Sequence, residues 1–191
     1  MKQAREGRRS AGSRLRNEKG GVALLLLALL AVVSLTLLWL ASVNWSKQTL
    51  AVDKAKPILD LATRAASLDI DEEQLAEGKL LWNEAAGRAT FYEYLHRNLY
   101  LDGEGDPLPG SFLSAKPNVL ALEFVSAPAY PSTLHRQVPH YVGTKDAVLR
   151  TVDVTIHGPS VLAVVEFRIS SIGRGGEEGL LISSVSSIRF R

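Results

Sequence analysis

The side chains of this 191-residue chain that could carry chemistry are four histidines, a few spaced carboxylates and a serine-rich C-terminal stretch. His135 and His140 stand five apart in a segment containing Pro131 and Pro139. Zinc sites on a helix need two His at i, i+4 with a Glu between, so these two are expected to be solvated loop side chains rather than ligands; the other two histidines are His96 and His157. Asp102-Gly-Glu-Gly-Asp106 alternates carboxylates as a calcium loop does. Position twelve of that loop, where a bidentate Glu is needed, is Leu113, so an exposed turn is expected. Ser183, Ser184, Ser186 and Ser187 lie outside any Gly-x-Ser-x-Gly elbow and are expected to face water on a terminal edge strand. The glycines from Ile172 to Gly179 lack the phosphate-loop spacing and its Lys-Ser/Thr, and predict a hairpin loop. Glu123 and Glu166 could act as general acid and base if they met, but strand carboxylates are expected to point outward. No residue is nominated as catalytic, cofactor-binding or metal-ligating, no cofactor is expected, and the chain is expected not to be an enzyme. The absence of Cys excludes a disulfide-stapled scaffold and any Cys-ligated zinc or iron–sulfur site.

The elements that would position these side chains begin with an apolar run. Gly20 to Ser46 contains no charged residue, and its polar side chains are Ser34, Thr36, Ser42, Asn44 and Ser46 beside Trp39 and Trp45. A bilayer core of about 30 Å needs roughly 20 helical residues. Val22 to Val43 meets that length without Pro, with Val22, Leu26, Leu30, Val33 and Leu37 in the lipid and Trp39 and Trp45 toward the headgroups. A cleaved signal peptide would have a shorter apolar core and a better small-x-small site than Leu40-Ala-Ser-Val-Asn44, so an uncleaved signal-anchor is expected.

Charge sets the orientation. Residues 1–19 hold seven basic side chains, among them Arg8, Arg9, Arg14, Arg16 and Lys19, against Glu6 and Glu18; the rest of the chain holds fifteen basic and eighteen acidic residues. A basic arm beside an apolar span keeps that end in the cytoplasm, so a lipid bilayer rather than nucleic acid is its expected partner. The expectation is a single-pass protein of the cell membrane, N-terminus cytoplasmic and C-terminal domain extracytoplasmic.

Residues 47–68 keep helical spacing, with Leu50, Ile58, Leu61, Ala62, Ala65 and Leu68 as an apolar stripe and Pro57 as a kink or a second helix start. The small residues Ala62, Ala65 and Ala66 offer a close-packing surface, either for another protein's helix or for the chain's own exported domain. A short strand is predicted at Lys79–Trp82. A helix is predicted from an Asn83 cap through Leu99, burying Ala85, Ala89, Tyr92, Leu95 and Leu99 with Phe91 and Tyr94 at its margins. Strands are predicted at Asn118–Ser126, Val148–His157, Ser160–Ser170 and Leu180–Arg191, the second and third forming a hairpin through His157-Gly-Pro-Ser160 and the third central. Tyr130–Gly143 is predicted as a long connection. The fold class is α+β: one transmembrane helix continuing into a helical stalk, then a small antiparallel-sheet domain with one or two packed helices. The divisions are a basic cytoplasmic arm 1–19, a transmembrane helix 20–45, a stalk 46–69 and an extracytoplasmic α+β domain 70–191.

Glu18-Lys-Gly-Gly-Val-Ala23, the run to Val43 and Leu61-Ala-Thr-Arg-Ala-Ala-Ser67 together resemble the TadE/TadG-like proteins of tight-adherence (Flp) pilus systems, over roughly the first 70 residues. The later layout, with Tyr94-Leu-His-Arg-Asn-Leu99 on a helix and Val-Ala-Val-Val-Glu-like strands, is similar to exported domains of the Gram-positive members. Pilins of this wider group are cut after Gly and carry Glu at the fifth mature position. Cleavage after Gly20 or Gly21 would place Leu25 or Leu26 there, so the resemblance implies an assembly or minor pilin-like component rather than a major fibre subunit. Its implied partners are pilus or secretion-machinery proteins, with no nucleic acid and no small-molecule substrate. The other expectation is a membrane-tethered binding module, which would present an exposed apolar patch around Tyr130, Tyr141 and the Pro-rich loop.

Overall fold

The structure is a computed structural model, described over residues 11–126, 129–142, 146–172 and 176–188. It divides into two units, residues 1–44 and 45–191, and helix α1 (Ala11–Ala66) contributes to both. In the first unit α1 is a regular helix in which Thr36 Oγ1 donates to the Val32 carbonyl at 2.8 Å. From Val22 to Leu38 its Leu and Val side chains are exposed, from 49% at Val33 to 73% at Leu25, while Leu40 and Val43 are half-buried.

The second unit contains the rest of α1, the short α2 (Glu72–Ala76), α3 (Glu84–Leu99) and five strands: β1 (Ala115–Val125), β2 (Ser132–Val142), β3 (Asp146–Ile156), β4 (Ser160–Ser170) and β5 (Glu177–Ser187). One antiparallel sheet has the order β1-β4-β5, and β2 and β3 form a separate antiparallel ribbon. The expected α+β class is observed. Strand β4 lies at the centre of three layers. Its odd positions Val161, Ala163, Val165 and Phe167 pack with Ala55, Leu59, Ala62, Phe91, Leu95 and Leu99 on the helical side. Its even positions Leu162 and Val164 pack with Val138, Leu134, Val152 and Val154 of the ribbon. Burial on both faces explains the unbroken apolar run of this strand and bears out its predicted central place.

Several expectations are corrected. β3 does not form a hairpin with β4; it pairs with β2 over eleven residues, from Ser132↔Ile156 to Val142↔Asp146, and Gly158-Pro159 carries the chain from ribbon to sheet. The long connection predicted at 130–143 is therefore largely strand β2. The predicted strand at Lys79–Trp82 reduces to one bridge between Ile70 and Trp82. Pro57 does not break α1: its exposed ring costs one backbone bond, while Ala55 and Leu59 on either side are fully buried.

Both helical faces are rotated from expectation. In α1 the buried stripe is Ala51, Ala55, Leu59, Ala62 and Ala66, while Leu50, Leu61 and, just past the helix, Leu68 are exposed. Residues 51–66 are thus part of the domain core rather than a separate stalk. In α3 the buried positions are Gly87, Phe91, Leu95 and Leu99; Ala85, Ala89 and Tyr92 face solvent. The Asn83 cap is observed, its Oδ1 accepting from the Ala86 amide at 3.1 Å. Gly87 sets the phase, because a Cβ there would lie 2.7 Å from the Phe124 ring and 3.1 Å from the Ala66 carbonyl oxygen. A larger residue would push α3 away from both.

Candidate functional site

The apolar segment is the first candidate. Val22, Leu26, Leu30, Val33, Leu37 and Trp39 are all about half exposed or more, and Trp45 is exposed at the start of the second unit. A core helix would bury one face, and this one buries none. A single long apolar helix of this kind is consistent with a single-pass membrane anchor. Arg8 and Arg9 lie outside the described residues, as do the side chains of Arg14, Arg16 and Lys19 on the first turns of α1.

The small-residue surface is not open. Ala62 and Ala66 have no exposure and sit in the hydrophobic core with Phe91 and Val165, and Ala65 is half-buried. Of the two partners the sequence leaves open, the chain's own domain takes this face. Polar bonds reinforce the seam between α1 and the edge strand β5. Lys56 Nζ donates to the Ser183 carbonyl at 2.9 Å and to Asp60 Oδ1 at 2.5 Å, and Ser184 Oγ donates to the same Asp60 oxygen at 2.6 Å. Farther along, Ser67 and Ser186 share a hydroxyl hydrogen bond of 2.9 Å. The expectation that the C-terminal serines face water is therefore overturned for Ser184 and Ser186. They share a strand face with Ile182; the Ser184 hydroxyl meets α1 and that of Ser186 meets Ser67 just beyond its end.

The carboxylates predicted to point outward do not. Glu166 has no exposure, and its Oε1 lies 3.0 Å from Nδ1 of His140, itself buried at 6%. Glu123 accepts two bonds from Arg136 Nε, at 2.8 and 2.9 Å, and one from Nη2 at 2.7 Å. The hydrogen bonds that Arg136 donates to Glu123 raise the Arg136 pKa above its ordinary value, with the carboxylate charge adding to the effect. His140 is not the solvated loop residue expected; it sits on β2, in register with Val148. Arg136 and His140 lie four apart on the inward face of the ribbon, so the two acids on the sheet each meet one base on the ribbon. The acids do not meet each other, and a shared acid–base pair is excluded. Sequence reasoning missed this because the partners lie on different sheets. In the structure Ser132, Leu134, Arg136, Val138 and His140 alternate with exposed positions, a parity that their residue types alone do not reveal.

On the outer face of the ribbon, His135 Nδ1 and Asp153 Oδ1 pair at 2.6 Å with both side chains exposed. Asp102 turns its carboxylate onto its own loop, Oδ1 accepting from the amides of Asp106 at 2.8 Å and Glu104 at 2.9 Å. The Asp106 amide is the largest cause that lowers the Asp102 pKa, with Glu104, Gly105 and the Lys116 ammonium helping against desolvation. Clefts among the described residues of the second unit include two of contrasting lining. One, of about 480 Å³, is lined by Asp69, Asp71, Glu72 and Glu73 beside the α3 cap. The other, of about 170 Å³, lies between α1 and the residues Phe112, Ile169 and Ser170. Among the described residues no three ligating side chains converge as a metal site would require. No family model, curated protein or solved structure matches the chain.

Proposed function

We propose that this protein is a non-enzymatic single-pass membrane protein that presents its α+β domain outside the cell to pilus or secretion machinery. The observation that carries the proposal is the charge-free helix whose leucines are exposed all round, preceded by a strongly basic arm. That arm keeps the N-terminus in the cytoplasm and places residues 45–191 on the far side of the cell membrane. The sequence features shared with TadE/TadG-like proteins support an assembly or minor pilin-like role, and Leu25 and Leu26 at the positions of the fibre-forming Glu argue against a major subunit. With Ala62 and Ala66 committed to the core, the exposed apolar side chains left for a partner near the end of α1 are Leu61 and, just beyond it, Leu68.

The test is isolation of the intact protein from its own cells in mild detergent, with identification of what accompanies it and the mass of its N-terminus. Recovery of pilus or secretion-platform proteins with an untrimmed N-terminus is the expected result. A monodisperse monomer with no companion would refute the assembly role and leave a tethered binding module. The patch suggested for such a module is not assembled as a loop, because most of it is strand β2 and Tyr130 is half-buried; the Tyr141 side chain lies outside the described residues.

A further inference from the structure

The cleft beside α1 sets two lysines against an apolar wall. Lys47, Leu50, Ala51 and Lys54 follow the i, i+3, i+4, i+7 spacing that places them on one face of the helix. Opposite them stand the ring of Phe112 and the side chain of Ile169. Lys54 Nζ lies 6.0 Å from the centroid of the Phe112 ring, a cation at the edge of an apolar wall. Both lysines are exposed, and among the described residues no carboxylate lies within ion-pair distance of either. Asp53, the acid of the same turn, is set about 100° round the helix from Lys54. Leu50 remains 55% exposed at the mouth. The chain beyond residue 19 carries more acids than bases, so two unpaired cations here are a local reversal of charge.

We infer that this cleft holds a phospholipid of the bilayer, its phosphate on the Lys47 and Lys54 ammonium groups and the first carbons of its chains against Leu50 and Phe112. A soluble anion would use the lysines and leave the apolar wall wet; an amphiphile satisfies both. The inference rests on the reading that residues 22–43 cross the membrane. Lys47 is only four residues past Val43, so at most about 14 Å of chain separates it from the apolar run. That places it within reach of the headgroup layer.

The chain has no Cys, so a Ser170→Cys variant of the full-length protein gives a single reporter site at the cleft. Labelled with an environment-sensitive fluorophore and reconstituted into vesicles of phosphatidylcholine with phosphatidylglycerol, it should be quenched by lipids carrying a nitroxide near the headgroup. Each of Lys47→Gln and Lys54→Gln should weaken the lipid dependence of that quenching about fivefold, the factor that one lysine contributes near an anionic surface. Flotation of the same samples separates the two readings. A protein that fails to float with the vesicles loses both the anchor and the lipid site. One that floats but is unquenched, or is quenched equally after both Lys→Gln changes, loses the lipid site alone. Relief of quenching by inorganic phosphate at constant ionic strength would assign the cleft to a soluble anion and overturn lipid occupancy.

Discussion

Nδ1 of His140 on β2 lies 3.0 Å from Oε1 of Glu166 on β4, and this buried pair joins the ribbon to the three-stranded sheet. Apart from the partly exposed Arg136–Glu123 pair, the packing between those layers is apolar, with Val138 against Leu162 and Val164. Apolar side chains on two flat surfaces tolerate a slip of register; a directed polar contact does not. The pair therefore contributes chiefly to which arrangement the two layers adopt, since burying both partners costs desolvation that their attraction only offsets.

That division predicts an asymmetry between single and paired replacements. Glu166→Ala or His140→Ala alone should destabilise the domain by about 3–5 kcal/mol, because each strands the other polar group in the core. The combined His140→Leu, Glu166→Leu variant should recover most of that loss. Denaturant unfolding of the full chain in mild detergent measures both, and equal losses in the single and paired variants would contradict the account.

The neighbouring pair should behave differently. Arg136 and Glu123 have side chains 38% and 33% exposed, so water screens them despite their forked geometry. Glu123→Gln is expected to cost about 1 kcal/mol, and added salt should reduce its effect while leaving that of Glu166→Ala unchanged. The salt series distinguishes the two pairs within one experiment.

On α1, buried and exposed residues alternate within single turns. Ala62→Leu and Ala66→Leu should each destabilise by about 1–3 kcal/mol, since both sites are filled by Phe91, Val165 and their neighbours. Leu61→Lys and Leu68→Lys should leave stability almost unchanged, as their side chains are 45% and 71% exposed. If these exposed leucines are where the machinery docks, the Leu→Lys pair should lose co-purifying partners at full stability. Retention of partners by a folded Leu61→Lys, Leu68→Lys protein would count against that surface.

The parts of the fold legible in the sequence are those decided by local chemistry. The charge-free run, the Asn83 cap and the doubly buried β4 depend on their own residues and their near neighbours. β2 was not legible, because three of its five inward positions are Ser132, Arg136 and His140. Its alternation reads as polar until Glu123 and Glu166 on the other sheet are known. Pro139 added to the disguise, yet it is tolerated on an exposed position of a ribbon that pairs on one side only. The helical phases were misplaced for a related reason. An isolated helix favours burying Leu50, Leu61 and Tyr92, whereas the sheet accepts the closer-packing Ala51, Ala55 and Gly87, and no local rule ranks those alternatives. The candidate lipid cleft shows the same limit: Lys47 and Lys54 are evident on α1, but Phe112 and Ile169 come to it from distant parts of the chain.

The Asp102 loop gives a prediction with a definite sign. Its carboxylate accepts from the Asp106 and Glu104 amides, and these hold its pKa below the ordinary value of 3.8. A group whose folded pKa is lowered stabilises the fold above its unfolded pKa. That contribution is lost as pH falls below the ordinary value and through the lowered one. From neutral pH down to about pH 4 the loop should therefore be unchanged. Below that, the Glu104 and Asp106 amide resonances should shift together with protonation of Asp102. Asp102→Asn keeps an acceptor oxygen but removes the charge, so this acid transition should vanish while the Gly105 turn, with its φ of 89°, persists at neutral pH. An amide transition that survives in Asp102→Asn would mean that another acid, Glu104 or Asp106, governs the loop.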